Sequence, residues 1–469
     1  MESKLLYQFN KANYTACVIS SEKANGNIFI PKFVYHENEK YTLTKIGEDS
    51  FRYNENIQTV KFDEDSEICF IGKNAFDHSS LEIILIPSSV KEIEEGAFSN
   101  CENLEIIDFS TQSKLVSIGK NAFFNSSIES LTIPSKVEEL NEGWCRNTPK
   151  LTKILLSPQN KYFKYLDDIY LIGKNNKTSE DYDNLYFVRR NVKEITIPSN
   201  IKKILSFSLE SCTQLNSIYF PPESNVSIID KSSFCYLPIK KITFPSSIQY
   251  IGISAFSDCI NLESINFSAN SKLEIIDKMA FYSSNIEKIR IPSSITRIGE
   301  FSFGFCKKLK EIEFEKNSKL QEIGSLCFAG SDIESILIPL GVNYIEEGVF
   351  QYCTNLKHIE FSPKSSLRSI AKNAFFQTPI ERLTIPSTVT KIESCSFYYC
   401  IKLKTIEFLS DKIDIKKDGL KQLNSLLLIS FPNAQEIVLE SKMFSGIPSD
   451  SQIFICPNPK FVYSNNKLY

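Results

Sequence analysis

The chain has 469 residues, a formal net charge of −3 and a pI near 5.9, so it lacks the basic excess that a nucleic-acid-binding surface needs. Apolar residues make up 42%, with 35 Phe and 20 Tyr, enough for a large core that is aromatic as well as aliphatic. No apolar run reaches the roughly 18 residues of a membrane span, and the opening Met1-Glu2-Ser3-Lys4-Leu5-Leu6-Tyr7 is too polar for a signal peptide.

Residues 1–45 read as an N-terminal cap, in which 14–19 and 27–30 alternate in polarity like the strands of a hairpin. A repeat begins at Ile46-Gly47 and runs to residue 408. Its phenylalanines step by 25, 22 and 25 residues through Phe51, Phe76, Phe98 and Phe123. The same alternation of 22 and 25 carries Phe234 to Phe397, while Pro245, Pro292, Pro339 and Pro386 recur every 47 residues. Each 47-residue unit is therefore two turns of about 23 and 24 residues, and a fixed period with a fixed apolar skeleton is the mark of a solenoid.

Within a turn, Leu309-Lys310-Glu311-Ile312-Glu313-Phe314 alternates in and out like a half-buried strand. In every second turn a proline follows and ends the pairing. The Ile-Gly-x-x-Ala-Phe stretch is predicted to form a short helical, 3-10 or irregular segment facing inward. The register breaks once. Pro134 to Pro198 is 64 residues, 17 more than the period, and there Trp144 takes the Ala slot, Cys145 the Phe slot and Thr148 the Cys slot. Two apolar runs joined by a polar loop predict a projecting hairpin insertion at about 157–190. Residues 409–469 are expected to form final repeats and a C-terminal cap ending in a short tail, 465–469.

The run Ile86-Pro87-Ser88-Ser89-Val90, followed by Ile93, Gly96-Ala97-Phe98, Cys101 and Leu104, resembles the BspA-like, or treponemal-type, leucine-rich repeat family. The resemblance spans roughly residues 28–440. It implies a leucine-rich-repeat solenoid of α/β type, with a parallel sheet on one face. It also implies the company of surface proteins of mucosal bacteria and anaerobic protozoa that bind host proteins or other cells. It brings no catalytic residues.

The residues themselves offer no chemistry. His36, His78 and His358 stand in unrelated slots, and no phosphate loop, metal-spaced cluster or nucleophile motif is present. No catalytic, cofactor or metal site is expected. Cys101, Cys212, Cys259, Cys306, Cys353 and Cys400 fill one slot two turns apart, roughly 10 Å on a strand spacing of about 4.8 Å. A disulfide needs Cα atoms within about 7 Å, so these read as a ladder of buried free thiols. Outward strand positions are the better functional candidates. Leu85, Ile106, Leu155 and Tyr219 on the strand face, with Tyr170, Tyr182 and Tyr186 of the insertion, are the expected contacts for a protein partner, host or self. Two readings stay open: a cell-surface adhesin or antigen, which the resemblance favours, and an intracellular scaffold, which the free thiols favour.

Overall fold

The computed structural model describes residues 5–21, 24–440, 445–455 and 460–463; the tail expected at 465–469 lies outside them. The chain falls into two compact units. The first holds the residues up to Ile195 together with Asn200–Leu215, and the second holds Thr196–Ser199 and the chain from Asn216 onward. Each is a parallel β-solenoid.

Every turn supplies two strands. A front strand of about four residues alternates outward and inward: in Ile83–Ile86, Ile84 and Ile86 are buried while Ile83 and Leu85 face out. A back strand is two residues long, as in Glu92–Ile93, and buries its second residue. In the first unit the front strands Gly26–Ile30, Ile57–Phe62, Ile83–Ile86 and Ile106–Phe109 form one parallel sheet, and Ser130–Ile133 pairs with Lys153–Leu156 in another. In the second unit the front strands from Lys241–Phe244 to His358–Phe361 stack in order, as do those from Arg382–Ile385 to Gln452–Ile455. Back strands continue to Lys460–Tyr463.

At the N-terminus the pairing differs from the hairpin expected between 14–19 and 27–30. Thr15–Ser20 lies antiparallel to Leu6–Asn10 and parallel to Glu39–Ile46, whereas Gly26–Ile30 joins the front sheet beside Ile57–Phe62. Ile28 and Ile30 point inward in register with Val60 and Phe62, so this strand already obeys the solenoid pattern.

The segment between back and front strands is a turn in every repeat, and the described residues contain no helix of either kind. Two residues four apart bracket each core ring in the left-handed region: Asn74 and His78 around Phe76, Asn121 and Asn125 around Phe123, Phe301 and Phe305 around Phe303. A left-handed residue breaks a right-handed helix after three residues. Amide protons alternate accordingly. Ala75, Asp77 and Ser79 bond back three residues within the turn, while Asn74, Phe76 and His78 donate to Glu95, Ala97 and Ser99 of the next. The turns are thus laddered on this side as well.

The core is a file of rings. Phe51, Phe76, Phe98 and Phe123 stack at centroid distances of 4.8, 5.2 and 5.7 Å in the first unit. In the second, eight rings from Phe234 to Phe397 do the same at 4.7–5.8 Å. All are fully buried. Tilts of 3–16° and these separations match offset stacking, worth about 0.5–1.5 kcal/mol per pair beyond area burial.

The cysteines finish this arrangement. The Phe328 carbonyl accepts from Ser331 Oγ at 2.6 Å and from Cys353 Sγ of the next turn at 3.1 Å. Phe375 O likewise takes Thr378 Oγ1 at 2.8 Å and Cys400 Sγ at 3.0 Å. Cys101, Cys259 and Cys306 donate to the Phe76, Phe234 and Phe281 carbonyls at 3.0, 3.1 and 3.2 Å. Ser or Thr on one turn and Cys on the next thus serve the ring carbonyls of alternate turns, in step with the two-turn period of the sequence.

Burial pushes Cys101, Cys327, Cys353 and Cys400 up to about 12 and Cys306 to about 11. An unfolded thiol ionises near pH 8.5. The stability these thiols contribute is therefore whole below about pH 8.5 and falls as pH rises toward their folded values, by about 1.4 kcal/mol per pH unit for each thiol. Cys353→Ser keeps a donor for Phe328 O and removes one titration. Denaturant unfolding between pH 8 and 10.5 should show a shallower loss of stability for this variant, by about one proton; an unchanged slope contradicts a thiol that is neutral when folded.

Candidate functional site

The first unit departs from its own rule at one turn. Trp144 O accepts from the Phe123 amide at 2.9 Å, as Ala97 O does from Phe76, so the indole sits in a slot built for a methyl group. Cys145 follows where a ring is due, and the ring file stops. Its carbonyl has two side-chain donors, Thr148 Oγ1 at 2.7 Å and Arg190 Nη2 at 3.3 Å. Cys212 reaches only 3.8 Å from Val188 O, a weak contact beside the other ladder thiols.

The expected hairpin is present, Tyr170–Gly173 against Asn184–Val188 across the mostly exposed loop 174–183, but its strands are buried instead of projecting. Phe163–Leu166, Tyr170–Gly173 and Asn184–Val188 form an antiparallel meander whose last strand runs parallel to Lys203–Ile204. All four residues of Tyr170–Gly173 are buried, and Leu171 and Phe187 are fully so. The apolar alternation that suggested a free hairpin instead serves two packed faces. Tyr170 is only 5% exposed and is no contact residue. Tyr186 is half-buried, edge-on to Phe163 at 5.1 Å, with its hydroxyl donating to Lys174 O.

Tyr182 is half-buried but reaches the surface. Its hydroxyl donates to Lys161 O at 2.9 Å and Lys164 Nζ lies 4.1 Å from the ring centre. The loop carrying it is pinned by Lys177, which meets Glu138 at 2.9 Å and Glu139 at 3.2 Å. The hydrogen bond from Lys177 holds the Glu138 carboxyl below the usual range. Beside this loop the front sheet consists of two strands only, ending at Lys153–Leu156. The step leaves a groove of about 850 Å³, lined by Thr132, Leu155, Phe163, Tyr165, Leu166 and Tyr182 among others. Leu155 and Tyr182 are thus brought together.

Leu85, 57% exposed, and Ile106 lie outside that groove on the open front sheet. Ile83 is in register with Ile106 and two residues from Leu85, so the three form one apolar patch. In the second unit exposed Tyr219 lines a groove of about 1320 Å³ with Phe220, Pro222, Lys241, Thr243 and Asn266. Leu337 is exposed beside Glu360. Sequence reasoning missed Tyr165 and Arg190. A signal for Arg190 existed: Arg189-Arg190 closes an apolar run that leads into the core rather than out of it.

His78 Nδ1 lies 3.0 Å from Asp77 Oδ1, but Asp77 also accepts from Arg52 Nε and Asn100 Nδ2, each at 3.0 Å. This carboxylate pins the turn around Phe76. Among the described residues no three metal-binding side chains cluster, and no helix is long and apolar enough to cross a membrane.

Because the meander is core, deleting 160–188 should destabilise the first unit by well over the ~3–5 kcal/mol of one buried Phe→Ala change. Lys177→Ala, at an exposed pair, should cost under about 1 kcal/mol. Thermal unfolding checks both, and a deletion that leaves the midpoint unchanged contradicts the packing described.

The family described as BspA type leucine rich repeat region matches in six copies, over residues 33–165, 180–294, 274–400 and 368–466. A search of curated proteins gives no match. A leucine-rich repeat protein from Eubacterium ventriosum is similar in structure, with 18% identity over 81% of this chain and 94% of that one and a TM-score of 0.53. One from Bacteroides ovatus has 23% identity over 89% and 98%, with a TM-score of 0.46. A leucine rich cell surface protein from Faecalibacterium prausnitzii has 20% identity over 87% and 94%, with a TM-score of 0.38. With the family matched along most of its length, the chain belongs to the BspA type leucine-rich repeat proteins.

Proposed function

We propose that this chain is a non-catalytic repeat protein that binds another protein through the front sheet and groove of its first unit. The observation that carries the reading is the clustering of exposed apolar side chains around the interrupted turn. Ile83, Leu85 and Ile106 form a patch, and Leu155 and Tyr182 line the groove where the sheet stops. Exposed apolar surface with a polar surround marks interaction sites, and a rigid sheet holds it without an ordering cost on binding. Elsewhere the outward columns are largely polar or charged, as in Lys288–Ile291 with Glu311–Phe314, where Arg290 pairs with Glu313 and Glu315.

The biological setting that fits is a cell-surface-associated adhesin or antigen of the BspA type, with a host or self protein as partner. The described cysteines, all free, favour a second setting, an intracellular scaffold. Labelling of intact producing cells with an impermeant amine reagent separates the two; a chain never labelled contradicts the surface setting.

The triple variant Leu85→Lys, Ile106→Lys and Leu155→Lys should leave the unfolding midpoint nearly unchanged, each surface site shifting stability by about 0.5 kcal/mol or less. It should lose at least about tenfold in capture of proteins from intact epithelial cells, since charges placed in an apolar contact cost several kcal/mol. Leu337→Lys serves as control. Equal capture by the triple variant and the wild type contradicts the assignment.

A further inference from the structure

Arg190 heads the fully buried side chains of the molecule by volume and is 1% exposed. Its guanidinium lies in the core of the first unit, where Nη1 donates to Ser208 O at 2.9 Å and Nη2 to Cys145 O at 3.3 Å. Cys212 Sγ and Cys145 Sγ lie 3.8 and 3.7 Å from the same two nitrogens, and the Phe187 ring centre is 4.5 Å from Cζ. Among the described residues Arg190 has no carboxylate partner. The buried Glu210 carboxylate is committed to Arg146, whose Nε lies 3.0 and 3.1 Å from its two oxygens.

Arginine cannot shed its proton, and a buried charge without a counter-charge costs several kcal/mol. The two thiols do not supply it: burial outweighs the cation and keeps Cys145 at about 12. The groups left unserved nearby share one character. Arg190 Nε and Trp144 Nε1 are buried donors with no acceptor, and Ser208 Oγ has no partner. They border the same stretch of core, since Phe187 lies 6.2 Å from the Trp144 ring and under Arg190, and Arg190 is bonded to Ser208. A water there would have to place two protons of its own with Ser208 Oγ as the sole free acceptor among these groups. An anion accepts from all three and donates nothing.

The geometry points to a binding site for one small monovalent anion, a halide such as chloride, held by Arg190 Nε, Trp144 Nε1 and Ser208 Oγ in the core of the first unit. The bound anion neutralises Arg190 and satisfies donors that the interrupted turn leaves open. Because Arg190 donates to Cys145 O, the anion stabilises the same turn that shapes the Leu155–Tyr182 groove.

Thermal unfolding of the full chain at constant ionic strength, in sodium chloride against sodium gluconate, reads the site directly. Chloride should raise the wild-type midpoint saturably, by about 2–4 °C. Trp144→Phe keeps a ring and removes one donor, and should weaken the dependence. Arg190→Met should abolish it. Should Arg190→Met fail to fold, crystals of the wild type grown in bromide provide the second reading. An anomalous peak within hydrogen-bonding distance of Arg190 Nε and Trp144 Nε1 supports the site. A water or empty density there overturns it, as does a chloride-independent midpoint. A thiolate absorbance at neutral pH that vanishes in Cys145→Ser would also overturn it, because Arg190 would then be neutralised from within.

Discussion

A carbonyl at each ring position, buried in the core and needing donors, is the constraint on which the solenoid depends. Stacked rings bring the chain into a file, and in alternate turns a thiol from the next turn serves the carbonyl beside the ring. Phe328 O and Phe375 O each take a hydroxyl from their own turn and a thiol from the next. Left-handed residues two before and two after each ring bend the backbone so that alternate amides face the neighbouring turn. Ring, cap and bend form one device. Ser or Thr and Cys are small enough to sit among rings and polar enough to close the hydrogen-bond account, which apolar residues of equal size could not do.

The interrupted turn shows what happens when that device is altered. Cys145 ends the ring file, a larger side chain fills the alanine slot, and a meander of three antiparallel strands takes up the added length. A guanidinium, from Arg190, donates to Cys145 O. A front strand that would continue the sheet is displaced, and the step between Lys153–Leu156 and the meander becomes a groove. Regular turns of the second unit offer a partner an even face whose outward strand columns are largely polar or charged. The altered turn offers relief, aromatic side chains and an adjoining apolar patch, which is what recognition requires.

Much of this was legible in the chain. The spacing of Phe, Pro and Cys announces a two-turn period, and the alternation of Leu309 to Phe314 announces a half-buried strand. Both rest on side-chain identity, which the sequence displays. Three features were hidden for physical reasons. Left-handed turns are signalled by Asn at 74, 121, 125 and 373, but Phe301, Phe305, Leu326 and Tyr352 adopt the same angles because neighbouring turns impose them. The meander looked like an exposed hairpin because period-2 alternation does not reveal whether the second face is covered; Tyr170 proved to be buried for this reason. The N-terminal strands were paired with each other because they are neighbours in sequence, whereas the solenoid claims 26–30 for its own sheet. Leu85, Ile106, Leu155 and Tyr219 are exposed, as counting outward register from the buried positions predicts.

Photo-crosslinking tests the central claim, that recognition is concentrated at the first unit's altered turn, most directly. A benzophenone amino acid at position 155 is compared with the same probe at position 337, an equally exposed leucine of the second unit. On intact epithelial cells the position-155 probe should yield a discrete protein adduct and the position-337 probe none. Adducts from 337 with none from 155, or equal yields from both, would contradict it.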